Sequence, residues 1–213
     1  PSARVRIAVA QDEAFCFIYA ETLEAFRDAG AEVVFFSPLR DTALPESIGG
    51  LYLPGGYPEL HARELSENTS LLREIKRKIE SGLPTAAECG GFLYLGQSLT
   101  DAEGKSWPMV GVLPGEAKDA GRLVRFGYAA LSADSDSMLF RAGESFPIHE
   151  FHHWDSTANG AALAAKKPVG GAAWRCGFID EHFYAGFPHL YWAGTPLPQR
   201  FAAAAENYRR DHD

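Results

Sequence analysis

Four short apolar runs, spaced by helical patterns within the first ninety residues, constrain this chain more than any other feature. Val5 to Ala10 (VRIAVA) is rich in β-branched residues and reads as a buried strand. Ile18 to Ala29 sets Leu23, Phe26 and Ala29 near helical spacing, and Gly30 stops the pattern. Ala31 to Phe36 (AEVVFF) and Gly50 to Leu53 (GLYL) are the second and third strands, the latter ending at Pro54-Gly55-Gly56. Pro58 to Ile79, rich in Glu, Arg, Lys and Leu, reads as helix broken near Asn68. Gly82 and Pro84 introduce a fourth strand, Thr85 to Glu88, and a helix is predicted from Gly90 to Leu99. Strands that alternate with helices in this way imply a parallel α/β sheet, because parallel neighbours need a crossover between them.

The texture changes near Trp107. Short apolar stretches recur between Gly, Pro and Asp: Met109 to Leu113, Leu123 to Leu131, Phe146 to Trp154, Val169 to Trp174 and Phe183 to Phe187. These predict antiparallel strands extending or flanking the sheet. Pro196 to Arg210 reads as a closing helix, with Pro198 in its first turn. The 213 residues suit one domain, 1–213. A formal net charge of −8 argues against nucleic-acid binding, and no apolar run has the length of a membrane span. The opening Pro1-Ser2-Ala3-Arg4 has no signal-peptide pattern and no initiator Met, which suggests a piece cut from a longer protein. Cys16, Cys89 and Cys176 form no C-x-x-C pair, so neither a disulfide framework nor a zinc site is expected. A cytoplasmic location is expected on that ground.

One cysteine stands in a reactive setting. In Thr85-Ala86-Ala87-Glu88-Cys89-Gly90-Gly91-Phe92-Leu93 a short strand runs into Cys89, and two glycines open a helix. That is the form of a nucleophile elbow, whose sharp turn presents the side chain above the sheet edge. A helix N-terminus would also favour thiolate over thiol. Cys16 and Cys176 lack this arrangement and read as packing residues. The Pro54-Gly55-Gly56 turn ends the adjacent strand, so the Gly56 and Gly90 N–H groups are the candidate oxyanion donors. A thiol needs a base. His61, His182 and His212 read as surface residues. His189, in Phe187-Pro188-His189, follows an apolar strand and falls in a loop above the sheet edge. His149, His152 and His153 cluster in one run, but it is not H-E-x-x-H, and a strand would point His152 away from the other two, so no metal site is expected.

Four segments carry a family resemblance: Ile7 to Phe17, Gly50 to Leu60, Ala87-Glu88-Cys89-Gly90-Gly91 and His149-Glu150-Phe151-His152. The chain resembles the C-terminal glutamine amidotransferase domain of cobyrinic acid a,c-diamide synthases. The resemblance implies an α/β, flavodoxin-like class I glutamine amidotransferase sandwich with a mixed, mostly parallel sheet. It implies Cys89 as nucleophile, His189 as base, Gly56 and Gly90 as oxyanion hole, and Gly55 and Gly91 at the substrate. L-glutamine would be the substrate, and a corrin would be reached through an N-terminal synthetase domain. No cofactor is expected in this domain. ATP and Mg²⁺ would belong to the synthetase half, since no G-x-x-x-x-G-K-[ST] loop occurs here. A homodimer is left open as the assembly. Related amidases acting on hydrogenobyrinic acid or nickel-sirohydrochlorin, or a non-catalytic docking domain, are the alternatives. Many class I enzymes carry Glu two residues after the catalytic His. Tyr191 stands there instead, which leaves open what orients His189.

Overall fold

A computed structural model describes residues 5–212; Pro1 to Arg4 and Asp213 lie outside the described residues. The chain begins β1 (Val5–Ala10), α1 (Ala20–Asp28), β2 (Ala31–Phe36) and β3 (Ile48–Leu53). A 3-10 turn at Pro58–His61 leads into α2 (Ala62–Glu67) and α3 (Thr69–Glu80), so the long helical pattern breaks at Asn68 as expected. β4 (Thr85–Glu88) runs into α4 (Gly90–Tyr94). Next come β5 (Ser98–Thr100), β6 (Ser106–Pro108), β7 (Glu116–Asp119), β8 (Arg125–Ala133) and β9 (Ser145–His152). Then follow β10 (Trp154–Ser156), β11 (Leu163–Lys166), β12 (Ala173–Cys176), β13 (Phe178–Ile179), β14 (Phe183–Gly186) and β15 (His189–Leu190). Helix α5 (Leu197–His212) closes the chain.

The main sheet has the order β13-β14-β4-β3-β1-β2, and every pair in it is parallel except β13 with β14. Its five parallel strands, β2-β1-β3-β4-β14, form a doubly wound sheet whose ligand crevices lie beyond the carboxyl ends of the strands. Both faces are covered, which is why the strands read as continuous apolar runs rather than alternating ones. Val5, Ile7 and Val9 of β1 join Phe26 of α1, Phe201 and Ala205 of α5, and Leu131 of β8 in one core. Ala8 and Ala10 point the other way, into a core with Leu71 and Ile75 of α3 and Phe92 and Leu93 of α4. Beside this unit lie an antiparallel sheet, β12-β11-β8-β9-β15, and a smaller one, β10-β7-β5-β6.

Four expectations need correction. The helix predicted to Leu99 ends at Tyr94, because the segment after β6 folds back and takes its last carbonyls. Val110 N–H donates to Tyr94 O, and Val112 and Leu113 N–H donate to Leu95 O. For the same reason Met109 to Leu113 is a capping loop and not a strand. Phe183 to Gly186 is antiparallel only to β13; on its other side it pairs in parallel with β4, Phe183 opposite Thr85 and Gly186 opposite Glu88. All four of its residues are buried, as a central parallel strand requires. Near Val169 the strand begins only at Ala173, since Lys167 N–H closes a turn on Ala172 O.

Candidate active site

β4 is buried along its whole length, and the chain turns sharply at its end. Cys89 sits at φ 50°, ψ −106°, a conformation side chains seldom take unless the surroundings enforce it. Cys89 N–H donates to Gly186 O (2.9 Å) and Leu93 N–H to Cys89 O (3.0 Å), which pins the turn from both sides. Gly91 lets α4 pack directly on β3, because a Cβ there would lie 2.1 Å from Leu53 O. The expected proximity of the two glycine turns is present. A Cβ on Gly90 would lie 3.0 Å from the Gly56 nitrogen and 2.9 Å from Pro58 Cδ. Gly56 in turn backs onto Ala14, whose carbonyl would be 2.2 Å from a Cβ. Among the described residues no carbonyl accepts the Gly56 N–H.

Burial pushes the Cys89 thiol up to about 12, the charge of Glu59 adds to this, and the Gly90 N–H aimed at the sulfur opposes it. The expected thiolate-favouring helix end is therefore outweighed. Helix α4 has only five residues and a correspondingly small dipole. At rest the sulfur is a neutral thiol.

His189 lies beyond the carboxyl end of β14, on β15, paired with His149 of β9. It is buried at 3% exposure and stacks on His149 at 4.5 Å and 7°. Gly55 faces the Cε1–Nε2 edge of its ring: a Cβ there would lie 2.6 Å from Cε1 and 3.4 Å from Nε2. Burial, then the charges of His149 and His152, push His189 down to about 3, so the resting imidazole is neutral. Nδ1 points the other way. It lies 3.8 Å from Glu88 Oε2, too far for a hydrogen bond, and has no partner.

Glu88 was not singled out in the sequence as a functional residue. Its signal was a charged residue closing an otherwise apolar strand, directly before the elbow. In the fold it is buried, and three donors hold it. Tyr52 Oη donates to Oε2 (2.8 Å), while Trp192 Nε1 (2.7 Å) and Leu190 N–H (3.2 Å) donate to Oε1. Burial nevertheless pushes its carboxyl up to about 7. Tyr191, at the position where an acid was missed, is half exposed.

The remaining histidines divide by face. His152 is buried, stacks on Phe187 (3.6 Å, 2°), and bonds through Nδ1 to Trp154 O (2.7 Å). Its Nε2 meets Glu150 Oε2 at 3.2 Å, and Trp174 Nε1 donates to the other oxygen of Glu150 at 3.2 Å. Both ring nitrogens of His152 and both oxygens of Glu150 thus have a partner, and the network is structural in character. β9 also borders the elbow through Phe151 O, 4.0 Å from Cys89 Sγ. A cavity of about 450 Å³ opens beside Tyr19, Tyr128, His149 and Tyr191, next to the His189 strand. Cys16 is exposed and Cys176 is buried on β12, outside this cluster. Among the described residues no helix is long and apolar enough to cross a membrane.

The comparisons with known proteins agree with this geometry. The profile of the CobB/CobQ-like glutamine amidotransferase domain matches residues 6–196. A cobyrinate a,c-diamide synthase of Synechocystis is 46% identical over 98% of this chain and 44% of its own length. One from Caldanaerobacter subterraneus is 43% identical over 88% of this chain and 42% of its own. The chain thus spans less than half the length of these relatives. Among solved structures, PurLQS from Thermotoga maritima shares the fold with a TM-score of 0.62 at 19% identity, over 96% of this chain and 98% of that one. A glutamine amidotransferase gives 0.57 at 19%, over 93% and 98%. With a flavodoxin-like sheet and a family match along nearly its whole length, the chain belongs to the CobB/CobQ-like glutamine amidotransferase domain family.

Proposed function

We propose that this chain hydrolyses glutamine at Cys89 and supplies the ammonia for a,c-diamidation of a corrin precursor in cobalamin biosynthesis. The observation that carries the reading is that the Gly55-Gly56 turn borders both sides of the site: the Gly56 nitrogen lies against Gly90, next to Cys89, and Gly55 lies against the Nε2 edge of His189. The names of the relatives support the corrin as the final acceptor.

In the proposed reaction the Cys89 proton passes to His189 Nε2 as the sulfur bonds to the side-chain amide carbon of glutamine. The carbonyl electron pair moves onto oxygen, where the Gly56 and Gly90 N–H groups stabilise it. As the tetrahedral intermediate collapses, the C–N bond breaks and His189 returns its proton to the leaving ammonia. Water, deprotonated by the same nitrogen, then cleaves the thioester to glutamate. A neutral imidazole and a neutral thiol are the protonation states this sequence starts from. Gly55 and Gly91 serve by lacking side chains: one leaves room for the His189 ring, the other seats α4 on β3. ATP and Mg²⁺ enter only in the amidation half-reaction, and no residue of this chain is assigned to them.

The test is glutamine-dependent amidation by this chain together with a synthetase half. Cys89→Ser should abolish it while free ammonia still supports amidation. Full glutamine-dependent activity in that variant would refute the role of Cys89, and amidation of a different tetrapyrrole would refute the assigned acceptor.

A further inference from the structure

We propose that Glu88, the residue before the nucleophile, is the carboxylate that orients and charges His189. The inference rests on the reading of Cys89 and His189 given above. It makes Glu88 a positioning residue that acts through the imidazole and does not touch glutamine.

Four observations carry it. First, the ring is oriented: its Nε2 edge faces Gly55 and its Nδ1 faces Glu88. Second, Nδ1 is a buried polar atom with no partner, and such atoms are uncommon in folded proteins. Third, Glu88 Oε2, at 3.8 Å, is the carboxylate oxygen it faces. The Tyr52 hydroxyl occupies only part of that oxygen, since each carboxylate oxygen has two lone pairs. Fourth, the position two residues beyond His189 holds the half-exposed Tyr191, which leaves no carboxylate there.

The placement has a structural logic. Glu88 and Cys89 are consecutive, so one turn sets the nucleophile above the sheet and turns the carboxylate to the far side of His189. Leu190 N–H on the His189 strand and Trp192 Nε1 two residues beyond it hold Oε1, tying the acid and the base to one segment. When the thiol proton moves to Nε2, the imidazole carries a proton on each nitrogen. Nδ1–H then donates to Oε2 of the ionised Glu88, and the proton stays on the nitrogen. A shift of about 1 Å brings the pair to the length of a charge-assisted hydrogen bond. The titratable groups around Glu88 are Tyr52 of β3, Tyr184 of β14, Tyr19, Cys89 and His189. Of these, His189 is the one that gains charge during turnover.

Glu88→Gln separates this role from a structural one. The amide oxygen can still accept from Trp192 and Leu190, so the packing is preserved. Its NH₂, however, faces His189 Nδ1 and favours the tautomer with the proton on Nε2, which cannot accept the thiol proton. We expect kcat for glutamine hydrolysis to fall about a hundredfold or more, with KM within a few-fold. The pH midpoint for labelling of Cys89 by a glutamine-shaped chloroketone should rise by about one unit or more. Glu88→Asp should recover part of the rate. Tyr52→Phe keeps the carboxylate but removes a donor, so the acid limb of kcat should move to higher pH. That variant decides the matter if Glu88→Gln does not fold. A Glu88→Gln rate within about threefold of wild type, an unmoved labelling profile, or an unmoved acid limb in Tyr52→Phe would overturn the inference. If the wild-type chain neither hydrolyses glutamine nor is labelled at Cys89, the parent reading fails as well. A working wild type with an indifferent Glu88→Gln sinks the inference alone.

Discussion

Two buried groups in contact with solvent-free surroundings set the chemistry at the level of single residues. The Cys89 thiol is pushed up to about 12 and His189 down to about 3, so neither reacts readily before substrate arrives. The thiolate is the nucleophile in alkylation, and access is its other requirement. Iodoacetamide should therefore modify the exposed Cys16 first, whereas a glutamine-shaped chloroketone should modify Cys89. Peptide mapping distinguishes the two, and a chloroketone that also favours Cys16 would contradict the assignment. His189→Ala should lower glutamine turnover about a hundredfold or more, as expected for loss of a positioned base. His152→Ala should act on stability instead. It removes a ring stacked on Phe187 and a partner of buried Glu150, a loss of about 1–3 kcal/mol in a urea melt. The titration of His189 also has a sign. Its folded pKa lies below the unfolded value of 6.5, so its contribution to stability is present above 6.5 and is lost as pH falls toward 3. Urea melts at pH 7 and pH 5 should show wild type losing more stability than His189→Ala over that interval.

Among the elements, the contact of α4 with β3 decides whether the elbow exists. A Cβ on Gly91 would meet the Leu53 carbonyl at 2.1 Å, and the backbone cannot turn away from it as a flexible side chain could. Gly91→Ala should lower stability by about 1–3 kcal/mol, in the range of overpacked cores, and reduce turnover by displacing Cys89. Gly104 offers the contrast. It has φ +82° but nothing within 4 Å of a Cβ, so Gly104→Ala meets only backbone strain, about 1 kcal/mol, and should leave turnover intact. Equal loss of activity in both variants would show that the α4–β3 contact does not govern the site. The elements also show where sequence reading stops. The break at Asn68 and the strand before Cys89 were legible because local residues cause them. The end of α4 was not, since residues more than a dozen positions later cap it.

For the molecule as a whole, the resting site is incomplete by its own geometry. The His189 Nδ1 has no partner, and the nearest carboxylate oxygen stands 3.8 Å away. The relatives extend over more than twice the length of this chain. Both facts lead to the expectation that this chain alone is a slow glutaminase and that a synthetase half, with its substrates, accelerates it. The gain should appear in kcat more than in KM, because the contacts at issue strengthen as the imidazolium forms. Steady-state glutamine hydrolysis with and without that half measures it, and an isolated chain already running at the coupled rate would contradict it.

Local pattern was enough for the parallel sheet, for the elbow at Cys89 and for the glycine turn at Gly55-Gly56. Strand periodicity, glycine conformational freedom and a cysteine between a strand and a helix are all written within a few consecutive residues. The parallel pairing of Phe183 to Gly186 with β4 was invisible locally, because a buried strand does not declare its direction. Nor could local pattern set Glu88 beside His189, 101 positions later. That meeting depends on β14 lying next to β4 and on Trp192 and Leu190 reaching back to the same carboxylate. Burial, which exists only once both cores have closed, then decides the protonation of Cys89, His189 and Glu88.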